Sequence, residues 1–154
     1  GISLWSDTDL ESLASHRPHL ECLQLSAINT EECTYIPRLA AAISKLQNLK
    51  TLALDTPNVE HQSFFESLEK LTQLENFSLR TEETISDHTL IRFFESSQSP
   101  LNFVHIVCVG PRTGLNELIQ RLSELRPNSR LRIKHSLMRI RQGSAHRGFE
   151  QVRL

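Results

Sequence analysis

HLECLQLSAIN, residues 19–29, carries leucines at positions 20, 23 and 25. Steps of +3 and +2 fit neither the stripe of a free helix, which needs +3 and +4, nor a strand alternating from end to end. They fit a turn leading into a short strand, with Leu23 and Leu25 on one face of the extended segment and Leu20 in the turn before it. The pattern returns. LKTLAL occupies 49–54, LENFSL 74–79 and LNFVHI 101–106, all L-x-x-L-x-L with conservative exchanges, at steps of 29, 25 and 27 residues. A further 27 residues reaches NSRLRI at 128–133, where Asn128 replaces the first leucine and Leu131 and Ile133 keep the other two.

The segments between these copies carry helical periodicity. Ile36, Leu39, Ile43 and Leu46 recur at +3, +4, +3; Phe64, Phe65, Leu68 and Leu71 repeat the stripe, as do Leu90, Phe93 and Phe94, then Leu115, Leu118, Ile119, Leu122 and Leu125. Helix starts are expected at Thr8 with Glu11 in capping-box spacing, at Pro37, at Ser86 before DHTL, and near Thr113. The order is therefore strand, helix, strand, helix, which makes the fold α/β with parallel strands joined by right-handed crossovers.

Five copies at this period resemble the leucine-rich repeat family, whose units run 20–29 residues with a short strand at L-x-x-L-x-L. The resemblance covers roughly residues 4–135 and implies a solenoid of about five strand-helix units, with a short-stranded parallel sheet on the concave face and helices on the convex face. ISDHTL at 85–90 and DLESLASHRPHLECLQL at 9–25 are most similar to the repeats of F-box/leucine-rich repeat proteins. That similarity implies substrate capture for a ubiquitin ligase, whose scaffold would be reached through a region N-terminal to these residues. The chain departs from the family in two places. Arg17 stands in HRP where cysteine is common, and the usual asparagine ladder is replaced by Ile28, Pro57, Glu82 and Val109.

Composition agrees with one domain, residues 1–135, followed by a basic C-terminal cap or partly disordered tail at 136–154. The 154 residues are 38% apolar, enough for a core. No run of 18 apolar residues and no basic-then-apolar leader occurs, so neither a membrane partner nor a secretory signal is expected. Cys22, Cys33 and Cys108 are odd in number and lack C-x-x-C spacing, which points to a reducing compartment, cytoplasmic or nuclear. Charge is split. Residues 1–77 hold 5 Lys/Arg against 11 Asp/Glu, net −6, while residues 78–154 hold 12 against 7, net +5.

Signatures of chemistry are weak. His16, His19 and Cys22 are spaced by threes, but Pro18 breaks the helix that would align them for a metal. GPRTG at 110–114 lacks the length and the lysine of a phosphate loop, and no G-x-S-x-G nucleophile motif occurs. No catalytic residue, metal or cofactor is assigned, and the expectation is a protein that is not an enzyme.

The positions between the ladder leucines are the informative ones, because alternate residues of a strand face away from the core. They form three rows: Cys22, Thr51, Asn76, Phe103, Arg130; then Gln24, Ala53, Ser78, His105, Arg132; then Ser26, Asp55, Arg80, Val107, Lys134. Their character runs from small and polar, through an aromatic centre, to basic. Ser78, Arg80, Phe103, His105, Val107, Arg130, Arg132 and Lys134 are thus the candidate partner-binding residues, an aromatic anchor with a charged rim being the common build of a protein interface. Another protein is the expected partner. Residues 126–154 hold eight Lys/Arg and one acid, so nucleic acid or an acidic surface is the alternative, as is a structural scaffold arm without catalysis; in that stretch Phe149 is the only aromatic for base stacking, which makes nucleic acid the weaker option.

Overall fold

The computed structural model describes residues 7–25, 35–55, 61–82, 84–109 and 114–136. Within them, five helices and five strands alternate: α1 Asp7–His16, β1 Cys22–Leu25, α2 Tyr35–Ser44, β2 Thr51–Asp55, α3 His61–Glu69, β3 Asn76–Arg80, α4 Asp87–Ser96, β4 Phe103–Val109, α5 Leu115–Leu125 and β5 Arg130–Ser136. The strands form one parallel sheet in the order β1-β2-β3-β4-β5. Each step along the chain is thus one step across the sheet. Right-handed crossovers that all advance in one direction put every helix on the same side.

The strand register is the one that the leucine pattern predicts. Leu23, Leu52, Phe77, Val104 and Leu131 stand abreast, as do Leu25, Leu54, Leu79, Ile106 and Ile133. All but Leu131, which is half-buried, are buried. The first leucine of each copy precedes its strand: Leu49, Leu74 and Leu101 are fully buried in the turns entering β2, β3 and β4. The strands therefore begin two residues later than the six-residue motifs. β4 and β5 also run on to Val109 and Ser136 and pair over seven positions.

Local chemistry sets several helix ends. The Ser86 hydroxyl accepts the Thr89 amide at 3.3 Å, and Asp87 places a negative charge in the first turn of α4, both favourable at a helix N-terminus. Pro37 lies in the first turn of α2, where its missing amide costs nothing. α5 opens at Leu115 from Gly114, whose φ of 76° is a left-handed conformation that a side chain would disfavour. Thr8 is a correction: it lies inside α1 rather than ahead of it. Thr113, Ser26, Cys33 and the tail from 137 to 154 lie outside the described residues.

Between the helix layer and the sheet, Phe64, Phe65, Phe77, Phe93 and Phe94 form a connected aromatic cluster with ring centroids 5.2–6.2 Å apart. Such edge and tilted contacts add to area burial. Polar side chains tie successive units together. The buried Ser99 hydroxyl donates to the Leu71 carbonyl at 2.6 Å and accepts the Leu74 amide at 3.0 Å, and Ser129 donates to the Leu101 carbonyl at 2.5 Å. In the turns, Asn48 donates to His19 Nδ1 at 2.9 Å and Gln73 to Asn48 Oδ1 at 3.4 Å. This His19, Asn48, Gln73 series links successive strand-helix units 25 to 29 residues apart.

Arg126 is the strongest of these ties. Its guanidinium donates through Nε to the Phe94 carbonyl at 3.0 Å, through Nη1 to the Ser99 carbonyl at 2.6 Å, and through Nη2 to the Ser97 carbonyl. A cation at the C-terminal end of α4 meets carbonyls left over by the helix and the negative end of its dipole. Burial lowers its pKa from the ordinary arginine value. One of the eight cations counted into the basic C-terminal stretch is therefore structural.

Candidate functional site

The face of the sheet turned away from the helices gathers the predicted residues in the predicted rows. Thr51, Asn76, Phe103 and Arg130 stand abreast, then Ala53, Ser78, His105 and Arg132, then Asp55, Arg80, Val107 and Lys134. Exposure separates them. Arg130, Arg132 and Lys134 on β5 are exposed; Phe103, His105, Val107 and Arg80 are half-buried. Ser78 is only 5% exposed and presents almost nothing to a partner.

Phe103 and His105, two residues apart on β4, approach with ring centroids 6.3 Å apart and planes tilted by 58°. The imidazole lies against cations on the neighbouring strand. Burial lowers the His105 pKa, and Lys134 and Arg132 lower it further, so the ring stays neutral at neutral pH. Its Nε2 is buried and has no hydrogen-bond partner. No acidic side chain occupies this face on β3, β4 or β5, and among the described residues none forms an ion pair with Arg130, Arg132 or Lys134. The field over the β4–β5 end is positive.

Asp55 is the residue that sequence reasoning missed as a site. It occupies the last position of β2 opposite Arg80, is 6% exposed, and neither carboxylate oxygen accepts a hydrogen bond. Burial raises its pKa from 3.8 to about 7, with attraction to Arg80 opposing the rise. An acid at a position that alternation assigns to solvent, one repeat before an arginine in the same row, was the available signal.

Elsewhere the chemistry is ordinary. His16 Nδ1 donates back to the Ser12 carbonyl at 2.8 Å and His19 pairs with Asn48, so these rings serve separate local contacts and do not converge on Cys22. No group of three or more metal-ligating side chains occurs among the described residues. Cys108 points into the core, where burial pushes its thiol up against an opposing backbone hydrogen bond from Ile85. Between α3 and α4, a cavity of about 30 Å³ lined by Phe65, Glu66, Glu69, His88, Thr89 and Arg92 has room for about one water. Burial also raises the Glu69 pKa; Arg92 opposes the rise and Glu66 adds to it. Among the described residues no helix is long and apolar enough to cross a membrane.

Searches against protein-family models, curated proteins and solved structures return no match.

Proposed function

We propose that the chain is a leucine-rich-repeat-type solenoid that binds another protein through the face of its sheet opposite the helices, the concave face of such a solenoid, and that it performs no catalysis. The single observation carrying this reading is the arrangement around Phe103. A half-exposed aromatic 6.3 Å from a neutral imidazole, the two planes tilted, is bordered by Arg130 and Arg132, with which no acid among the described residues forms an ion pair. Desolvating an aromatic anchor supplies binding energy, and unpaired rim charges supply steering and selectivity. The repeat register supports the family resemblance, since two core ladders stack through all five strands in step with the motif. Substrate capture for a ubiquitin ligase is the finer role implied by the stretches at 9–25 and 85–90.

A photo-crosslinking residue placed at Phe103, against a control at exposed Glu95 on α4, tests the face. The expected result is a protein adduct from position 103 and none from position 95. Phe103→Ala should then weaken binding of the adduct partner by on the order of 2 kcal/mol, chiefly through faster release, whereas Arg132→Ala should slow association and blunt its salt dependence. Both variants should melt like the parent. Adducts from Glu95 alone, or a Phe103→Ala protein that binds normally but melts far lower, would refute the assignment.

A further inference from the structure

β5 closes the sheet on one side, and among the described residues no strand lies beyond it. Its free edge is long, with all seven residues from Arg130 to Ser136 paired to β4 on the other side. Along that edge the outward positions are Arg130, Arg132 and Lys134, exposed and, among the described residues, without ion pairs. The inward positions include Ile133, which is buried, and Leu131, which is half-buried. The last helix of the same unit ends in Leu125, 38% exposed, the most exposed large apolar side chain among the described residues. Among the described residues the edge thus offers backbone groups with no strand pairing them, three like charges on one face, and incompletely covered apolar surface on the other.

Charges on an edge strand commonly guard against pairing with other chains. Such a guard works through its sign. Three cations in succession repel a second copy of β5, and the same field accepts a strand of opposite charge. The lowered His105 pKa, owed to burial first and then to Lys134 and Arg132, reports that this field reaches one strand inward.

We propose that β5 is a docking edge for an extended acidic segment of a partner protein, which adds to the sheet as a further strand with acidic residues alternating with apolar ones. This rests on the reading of the sheet as a protein-binding surface and names the partner's chemistry. The spacing fits. Residues two apart on a strand are separated by about 6.6 Å, and facing residues on a neighbouring strand by about 5 Å, so acids at alternate positions meet Arg130, Arg132 and Lys134 one to one. The intervening apolar side chains fall on the Leu131 and Ile133 side. A peptide also matches the edge amides and carbonyls, which a nucleic-acid strand does not, and Phe103, half-buried on β4, is the sole aromatic in the rows of this face available for base stacking.

Fluorescence anisotropy on the full chain tests this with four labelled probes: a heptapeptide alternating glutamate with valine, its isomer with the glutamates contiguous, an alternating peptide N-methylated at every second amide, and a short oligothymidylate of equal charge. The alternating peptide should bind at micromolar concentration, with the isomer and the N-methylated form at least tenfold weaker and the oligonucleotide weaker still. Arg130→Glu/Arg132→Glu/Lys134→Glu should lose the glutamate peptide and gain a lysine-valine counterpart. Absence of binding by the alternating peptide, equal binding of the N-methylated form, or tighter binding of the oligonucleotide would each overturn the proposal. The three probe comparisons use the unaltered protein and so survive any folding defect in the triple variant. Glu95 is exposed on α4 in the helix layer, away from β5, so Glu95→Ala should leave peptide affinity within twofold. A failed peptide beside a productive crosslink at position 103 sinks the docking edge alone; a bound peptide without that crosslink sinks the face around Phe103.

Discussion

Removing the charge from Asp55 should stabilise the protein at neutral and alkaline pH and change little in acid. The unfolded carboxyl titrates near 3.8 and the folded one near 7, so between these values the folded chain holds a proton that the unfolded chain has released. Stability from this group is therefore fully present below 3.8, declines as pH rises toward 7, and is constant above that. Across about 3 pH units at 1.36 kcal/mol each, the loss is at most about 4 kcal/mol. Asp55→Asn keeps the shape and cannot ionise. Its advantage over the parent should grow from near zero at pH 4 to a few kcal/mol at pH 8, seen in urea unfolding as a midpoint higher by about 1–2 M at the alkaline end. His105 contributes the opposite slope, since its lowered pKa opposes folding as pH falls below 6.5, but it does so in both proteins and cancels in the difference. Parallel curves for parent and variant over pH 4–8 would show that Asp55 is solvated and ionised in the folded state, and the electrostatic account of the β2–β3 pair would fall.

Two further substitutions test the frame. Leu52→Asp would bury a charge in the middle of the ladder between Leu23 and Phe77 and should abolish cooperative thermal unfolding; a melting temperature within a degree or two of the parent would refute the register. Arg126→Ala leaves the carbonyls of Phe94, Ser97 and Ser99 without their donor and should cost about 2–4 kcal/mol by urea titration, independently of salt; a loss that disappears in 0.5 M salt would mark it as a mere surface charge.

The ladder was legible because a strand's period of two and a repeat near 27 residues reinforce one another, so Leu23, Leu52, Phe77, Val104 and Leu131 could be aligned without coordinates. The rows on the opposite face follow from the same alternation, which is why Phe103, His105 and Arg132 appear where expected. Alternation gives direction and says nothing about depth. Asp55 and Ser78 point away from the core yet are nearly closed to solvent, because closure depends on neighbours across the sheet rather than along the strand. Arg126 was invisible for a related reason. It lies in a basic stretch, while the carbonyls that hold it come from positions 27 to 32 residues earlier.

The five phenylalanines span only positions 64 to 94, in the middle of the chain, and the main contacts of each element are with the next ones in order. Local contacts of this kind close short loops, which makes assembly fast once a seed exists. The seed is central. A chain growing from its N-terminus completes this aromatic cluster only once Phe94 has emerged, whereas the apolar run from Leu39 to Leu54 is available before it.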